Sequence, residues 1–215
     1  MINGKQLDGL CKVLNVFQKT VRMDMPVVVD PVCTMICEVK AKDVFGIESS
    51  KALDIKQISG LKLEDEDFDV SIENGRYILS NDKRSYSILM SEGNSIRTPK
   101  VPDFYTTVEI TTDANTFKKA IDKCSLVCDN CVIQNGNMTS KTTSTEVSVV
   151  LGKFNDDSGC DTKSAYGLPL LKSVAKVLTG KVTLKYDKSF PLVIMWNDGY
   201  YDYRVCIAPR VENDG

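Results

Sequence analysis

The sequence contains no histidine among its 215 residues. Histidine is the commonest acid–base residue at neutral pH, so Ser-His and Cys-His nucleophile schemes and histidine-bearing metal sites are excluded. No apolar run approaches the roughly 20 residues of a membrane span, and residues 1–6 lack the apolar stretch of a signal peptide. We therefore expect no membrane association, and a cytoplasmic or nucleoid location, or a nuclear one in a eukaryotic host.

The eight cysteines favour neither disulfides nor a metal centre. Disulfides are rare without an export signal. The one tight cluster, Cys124, Cys128 and Cys131, has no second pair of ligands and no histidine, whereas a zinc site usually needs four. Cys124 falls on the apolar phase of a predicted helix, and Cys131 opens a predicted strand. The sequence therefore predicts buried thiols, no metal and no cofactor.

The chain resembles two copies of one layout, separated by a proline-bearing polar stretch. We predict an N-terminal domain over residues 1–97, a linker over 98–104 and a C-terminal domain over 105–215. Apolar residues recurring every three to four positions predict two short helices in each half. The predicted helices cover residues 5–20, 53–61, 115–126 and 168–178.

β-Branched and apolar segments, several of them joined by Asn- and Asp-containing turns, predict antiparallel strands between and after the helices. The predicted strands cover residues 27–39, 68–72, 76–80, 85–91, 146–151, 181–186, 192–196 and 203–208. The expected fold class is α+β, with two similar domains that each pack two short helices on antiparallel sheets.

Basic residues are concentrated on the predicted helices, although the whole chain has a net charge of −2. Each helical segment with its flanking residues carries an excess of two or three positive charges. Lysines on one helix are commonly only solvated, but four helices of the same sign favour contact with a polyanion. Few aromatic residues accompany the lysines, which favours duplex over single-stranded DNA. The expected DNA-facing residues are Lys5, Lys12, Lys19, Arg22, Lys56, Lys118, Lys119, Lys123, Lys172 and Lys176.

Residues 166–212 resemble the C-terminal part of the proliferating cell nuclear antigen family of sliding clamps. The most specific elements are the pair Pro191-Leu192 and the ending Ala208-Pro209-Arg210-Val211-Glu212. Residues 117–132 are similar to the third helix of the family and the strand after it. The N-terminal half matches only in pattern, with Asp30-Pro31 near a strand and then Phe45. The chain is shorter than typical cellular members, and a compact length is also found in virus-encoded clamps.

This resemblance implies a ring that encircles duplex DNA without reading its sequence and tethers a DNA polymerase to it. Such a protein has no catalytic residues. It implies a head-to-tail homotrimer, loaded by a separate ATP-dependent clamp loader, because this chain has no nucleotide-binding loop. Edge strands would form the subunit contact, near residues 85–90 and 147–151. The expected interface residues are Ser85, Tyr86, Ile88, Val147, Val149 and Leu151.

The resemblance also implies a pocket for a partner peptide with a hydrophobic plug. Small apolar groups there could bury an aromatic side chain. Cys33-Thr34 and Cys206 replace small polar and aromatic residues expected near such a pocket, so the peptide preference can differ from that of the family. The expected pocket residues are Cys33, Thr34, Ile36, Pro191, Ile207, Ala208 and Pro209.

Two alternatives remain at the level of sequence. The chain could be a processivity factor that does not close on itself, or one subunit of a heterotrimeric checkpoint-type clamp. It could also be an enzyme that uses the carboxylates of residues 64–67 or of Asp156-Asp157, although acidic runs of this kind are usually solvated loops.

Overall fold

The computed structural model describes residues 1–25, 27–41, 43–96, 98–103, 105–156 and 162–210. The chain divides into two units, unit 1 (Met1–Val101) and unit 2 (Pro102–Gly215). Residue 97, the last of the predicted N-terminal domain, and residue 104, the last of the predicted linker, lie outside the described residues, so the linker boundaries stay a prediction. Cys160, Asp157, Val211 and Glu212 also lie outside them.

The described residues of unit 1 form two α-helices, one short 3₁₀ helix and eight strands. Its α-helices and strands, in chain order, are β1 (Ile2–Asn3), α1 (Gly4–Leu14), β2 (Thr20–Arg22), β3 (Val27–Val29), β4 (Met35–Lys40), β5 (Ala52–Asp54), α2 (Ile55–Gly60), β6 (Asp67–Glu73), β7 (Arg76–Ser80) and β8 (Ser85–Leu89), followed by the 3₁₀ turn Gly93–Ser95. Four strands form an antiparallel sheet in the order β1-β6-β7-β8, and β2 pairs with β5 as β3 does with β4.

Unit 2 repeats this order of elements, with one additional strand. Its elements are β9 (Val108–Asp113), α3 (Ala114–Cys124), β10 (Asn130–Gln134), β11 (Asn137–Lys141), β12 (Glu146–Val150), β13 (Lys153–Asp156), β14 (Lys163–Gly167), α4 (Leu168–Ala175), β15 (Lys181–Tyr186), β16 (Leu192–Asn197) and β17 (Asp202–Ile207). One sheet has the order β12-β11-β10-β14, and β13, β9, β15, β16 and β17 lie side by side in another. The additional strand is β13, and the predicted α+β class is confirmed.

The helices α1, α2 and α3 begin at a capping side chain, whereas α4 begins after Gly167 without one, and all four end earlier than the apolar periodicity suggests. Asn3, Asp54 and Asp113 each accept hydrogen bonds from the first backbone N–H groups of a helix. The prediction that helix one extends to residue 20 is wrong, because α1 ends at Leu14 and a turn follows. Phe17 is buried from that turn, which explains why the apolar spacing continues past the helix.

The segment 27–39 is a hairpin of two strands. Asp30 forms the turn, because its carboxylate accepts hydrogen bonds from the Met35 backbone N–H at 2.5 Å and the Thr34 hydroxyl at 2.9 Å. Cys33 in the same turn has a φ of 58°, in the left-handed region that a strand does not use. The expectation that Cys33 and Thr34 lie on a strand is therefore wrong, whereas Ile36 does lie on β4.

Each unit has its own apolar interior. In unit 1, α1 contacts α2, and Leu7, Leu10 and Leu14 on one face of α1 are fully buried. In unit 2, α3 contacts α4, and Phe117 is fully buried. The helices therefore bury one stripe and leave the opposite face to solvent, as their apolar spacing predicts.

Candidate nucleic-acid interface

The basic side chains of unit 1 lie on the free faces of its two helices. Lys5 and Lys12 are exposed on α1, and Lys56 is exposed on α2. Two of these lysines have acidic neighbours. Lys12 Nζ lies 2.5 Å from the carboxylate of the buried Asp8, one helical turn earlier, and Lys5 Nζ lies 3.8 Å from Asp65. The Lys12 ammonium group is thus held in place along the helix while its side chain stays 63% exposed.

In unit 2 the packing of α3 against α4 brings basic side chains of both helices to one surface groove. Lys118, Lys172 and Lys176 line this groove of about 160 Å³, together with Asp122. Lys172 Nζ lies 3.7 Å from Asp122, and Lys118 Nζ donates a hydrogen bond of 3.0 Å to the Leu178 carbonyl.

Lys119 and Lys123 are exposed one turn apart on the same helix. The groove and the two lysines beside it form a basic surface built from both helices. The spacing of residues in the sequence predicted the lysines of each helix separately, but it did not predict the groove between the two helices.

Three residues of the predicted set are not on a helix, and one of them, Lys176, directly follows the last residue of α4. Lys19 is exposed but lies in the bend before β2, so its expected place on the first helix is wrong. Arg22 lies on β2 and forms a two-point ion pair with Asp24, through Nε at 3.0 Å and Nη2 at 2.7 Å. These hydrogen bonds hold the pKa of Asp24 below its usual value. Arg22 is therefore neutralised by Asp24 and not available as a free cation.

The acidic run 64–67 pairs with neighbouring polar and basic side chains. Asp65 and Asp67 both accept hydrogen bonds from the amide of Asn3. Glu66 contacts Lys83 and Arg84, and its hydrogen bond with Asn81 is the first cause of a pKa below the usual value. A general acid needs a raised pKa, so Glu66 is unsuited to that role. Of the second acidic pair, Asp157 lies outside the described residues.

The three clustered cysteines occupy two environments. Cys124 and Cys131 are buried, and burial raises the pKa of both thiols. Cys128 is half-buried, and its Sγ lies 3.1 Å from the Ser140 hydroxyl, which lowers the pKa of the thiol. No group of three or more potential metal ligands is present in the part of the chain that the structure describes.

The strands expected at the subunit interface lie at the edges of their sheets. Within the described residues, β8 ends the sheet of unit 1 and β12 ends a sheet of unit 2. Ile88 on β8 and Leu151, the residue after β12, are buried, so their side chains belong to the interior of their units. Leu89 and Val150 are exposed instead, by 61% and 69%, and they are not among the expected interface residues. The alternation of side chains along a strand predicts which residues share a face of the sheet, but it does not predict which strands lie at an edge.

The residues expected to bind a partner peptide lie in both units. In unit 1, Cys33 is exposed in the turn and Thr34 is half-buried. In unit 2, Pro191 precedes β16, and Ala208 and Pro209 follow β17, all three half-buried. Ile207 is fully buried on β17, so its side chain supports the fold and is not open to a ligand.

Among the described residues, no helix has the length and apolar character that crossing a lipid bilayer requires. The sequence matches no family model, and no curated protein is detectably similar to it. Solved structures do match. A chain of the A. fulgidus PCNA structure with the C-terminal region of FEN-1 bound superposes with a TM-score of 0.81 at 17% identity, covering 99% of this chain and 98% of that chain.

Two further structures extend this likeness across distant organisms. PCNA from Thermococcus kodakaraensis has a TM-score of 0.79 at 18% identity, covering 98% of each chain. The proliferating cellular nuclear antigen of Entamoeba histolytica has a TM-score of 0.79 at 14% identity, covering 97% of this chain and 96% of that one. The likeness spans both units, because 97–99% of this chain is covered. The chain therefore has the fold of the proliferating cell nuclear antigen (PCNA) sliding clamps.

Proposed function

We propose that this protein is a DNA sliding clamp, a ring without catalytic activity that encircles duplex DNA and tethers a DNA polymerase and other replication proteins. The observation that carries the proposal is that each of the four helices α1, α2, α3 and α4 has exposed lysines, in a chain with the sliding-clamp fold. The other features below agree with this function but do not by themselves require it.

The lysines suit a partner that is bound through its phosphates. Eight of the ten expected DNA-facing side chains are exposed, and Lys119, Lys123 and Lys176 have no ion pair with any described residue. Cations along a polyanion gain affinity by releasing condensed counterions, which gives binding without sequence preference. Acidic neighbours such as Asp8 and Asp122 reduce the net attraction, which suits a protein that must slide.

We further propose that the ring is a homotrimer whose contacts join β8 of one subunit to β12 of the next, and that a separate ATP-dependent clamp loader opens it. Both strands end their sheets within the described residues, and exposed apolar side chains on each could be covered by a neighbour. A heterotrimer is the second candidate, because a matching structure from Sulfolobus tokodaii is a PCNA2–PCNA3 complex. A virus-encoded origin stays a prediction.

For partner proteins we propose docking of a short peptide on residues that include Cys33, Thr34, Ile36, Pro191 and Pro209. The FEN-1 region bound to A. fulgidus PCNA supports this idea by analogy. Because Ile207 is fully buried, we assign it to the support of the docking surface and not to direct contact.

A threading assay tests the ring without any polymerase. The protein is incubated with linear duplex DNA tethered to beads at one end, so that rings can enter over the free end. The free end is then blocked with streptavidin, and the beads are washed with high salt. We expect the protein to stay on blocked DNA and to leave after a restriction cut, because a threaded ring is held topologically.

The controls separate the ring from simple charge attraction. Substituting Lys12, Lys119 and Lys172 by Glu should reduce threading while leaving the oligomer intact in light scattering. Substituting Lys83, which is exposed in the bend between β7 and β8 and is not on a helix, by Glu should leave threading unchanged. Equal loss of the protein from blocked and open DNA would contradict the proposal.

A further inference from the structure

Unit 2 contains a cavity that DNA tethering does not use. It has a volume of about 640 Å³ and opens on one face of the sheet β12-β11-β10-β14. We name it the outer cavity, and its size is within the range of ligand-binding clefts. Among the residues that line it are Asn130, Val132, Gln134, Lys141, Lys163 and Arg210.

The outer cavity lies on the face of the sheet opposite to α3. Side chains alternate between the two faces of a strand. Val132 on β10 pairs with Thr139 on β11 and Ala165 on β14, and all three line the cavity. Ile133 and Met138, the next pair along, are fully buried on the other face, where α3 contacts β11 and β12. The cavity is thus separated by a sheet from the lysines of α3.

Positive charge exceeds negative charge at the rim of the outer cavity. The lining includes three cations, Lys141, Lys163 and Arg210, and one carboxylate, Glu146. Lys141 Nζ lies 3.0 Å from Glu146, so those two charges offset each other. Lys163 and Arg210 are exposed and have no ion pair with any other residue that the structure describes. The cavity therefore has an excess of two positive charges.

The two unpaired cations lie near opposite ends of the cavity. Lys163 is opposite Gln134 in the sheet, whereas Gly167, beside the Arg210 guanidinium, is opposite Asn130. Asn130 and Gln134 are four residues apart on β10, which corresponds to about 13 Å in a strand. The Arg210 backbone N–H donates a 2.8 Å hydrogen bond to the Ala165 carbonyl, which fixes this end of the cavity.

We propose that the outer cavity binds an extended acidic peptide segment of a partner protein, with one carboxylate at Lys163 and a second, four residues away, at Arg210. Gln134 and Asn130, the strand positions beside the two cations, are four residues apart, which is also the spacing of two such carboxylates in an extended chain. Asn130 and Gln134 supply amide groups that can pair with a peptide backbone, and Val132 and Ala165 supply an apolar floor. This site does not depend on the proposed clamp function, because it needs neither a ring nor DNA.

A peptide suits the outer cavity better than a nucleic acid does. Because Glu146 is paired with Lys141, the cavity offers only two separated cations, which match two discrete carboxylates better than the continuous charges of a phosphodiester chain. An acidic peptide can place an uncharged residue opposite Glu146. Charge complementarity of this kind gives specificity for a partner whose acidic residues match the positions of the two cations.

Fluorescence anisotropy with a labelled peptide tests the proposal. The probe is a short extended peptide with two glutamates four residues apart and serine elsewhere, and its control carries glutamines instead. We expect binding of the glutamate peptide that weakens with salt. The double substitution Lys163→Glu and Arg210→Glu should weaken it by about tenfold or more. Lys153→Glu, at an exposed lysine on β13, is the matched control and should not change it.

Cys128 provides a second measurement, because its half-buried thiol lines the outer cavity. Cys33 is exposed and Cys160 lies outside the described residues, so both are first replaced by serine. The glutamate peptide should then slow alkylation of Cys128, and the glutamine peptide should not. Equal binding by the double variant, or protection of Cys128 by duplex DNA and not by the peptide, would overturn the proposal. Thermal melting confirms that each variant is folded.

Discussion

At the residue scale, Asp113 links the start of a helix to the response of the protein to acid. Its carboxylate accepts hydrogen bonds from the backbone N–H groups of Asn115 and Thr116, both at 2.9 Å, and from the Thr116 hydroxyl at 2.5 Å. These hydrogen bonds hold the pKa of Asp113 below its usual value of 3.8, and the bond from the Thr116 hydroxyl has the largest effect. Folding therefore favours the charged carboxylate, as expected for a cap at the positive end of a helix.

The pH dependence of this stabilisation follows from the sign of the shift. A lowered pKa stabilises the fold above the unfolded-state pKa, and the stabilisation is lost as pH falls through the folded-state pKa. We predict that Asp113→Ala lowers Tm by about 2–4 °C at neutral pH. Asp113→Asn keeps a capping oxygen, so its Tm at neutral pH should be close to that of the unsubstituted protein. Between pH 5 and pH 2 its Tm should fall less, because asparagine has no carboxylate to protonate. Calorimetry across this range measures both, and identical acid curves for all three proteins would refute the assignment.

The chemical environment of single residues was only partly predictable. The apolar phase of Cys124 predicted a buried thiol, and this is confirmed because helical spacing fixes which face a side chain occupies. The spacing of Asp8 and Lys12 allowed an ion pair, but not the burial of Asp8 beneath it. Arg22 was misassigned because it ends β2 and its partner Asp24 lies two residues later in a bend, a contact that helical spacing does not describe.

At the scale of elements, the existence of all four helices could be predicted, and their ends could not. Leu53 continues the apolar spacing of α2, but it lies on β5, where it pairs with Val21 of β2. Leu178 continues the spacing of α4 after the helix has ended at Ala175, and it is buried from a turn. A regular spacing of apolar residues indicates which side chains are buried. It does not mark the end of a helix, because a residue just outside the helix can be buried at the next position of the same spacing.

The beginning of α1 depends on a close approach that only glycine permits. A Cβ added to Gly4 would lie 2.6 Å from the Glu64 carbonyl oxygen and 2.8 Å from Phe68 Cε2. We predict that Gly4→Ala lowers the free energy of unfolding by about 1–3 kcal/mol, because α1 must move from β6 or the backbone near Glu64 must shift. Denaturant unfolding measures this loss.

The matched control for that prediction is Gly60, in the last turn of α2. A Cβ there would meet no atom within 4 Å. Gly60→Ala should therefore raise the free energy of unfolding by about 0.5–1 kcal/mol, because alanine restricts the unfolded chain and favours the helix. If both alanine variants changed stability in the same direction, the steric account of Gly4 would be wrong.

At the scale of the whole molecule, the internal duplication was visible because helices and turns recur in the same order in both halves. Sheet order was not predictable, since pairing joins residues far apart in sequence, such as Ile2 and Phe68. The sheet β1-β6-β7-β8 of unit 1 has its counterpart in β9-β15-β16-β17 of unit 2. The charge of a helix can be predicted from its local sequence. Which strands end a sheet depends on the pairing of distant residues, so the sequence does not reveal it.

The proposed head-to-tail ring makes a prediction about mass. One subunit has a mass of 23.8 kDa, so light scattering should give three times this value. Leu89→Lys on β8 and Val150→Lys on β12 each replace an exposed apolar side chain by a charge that a closed contact would bury. Each variant alone should be monomeric, because every contact of such a ring uses one β8 and one β12. Each should still unfold cooperatively, at a Tm lowered by the loss of association.

Mixing the two variants distinguishes a head-to-tail contact from other arrangements. The Val150→Lys subunit keeps an intact β8, and the Leu89→Lys subunit keeps an intact β12. Equal amounts should therefore form one competent contact and a dimer of twice the subunit mass, without closing a ring. Tyr200→Lys, at an exposed aromatic residue outside both edges, should remain trimeric. Self-association of either variant alone would indicate a contact between like edges, and a mixture that stays monomeric would exclude the pairing of β8 with β12.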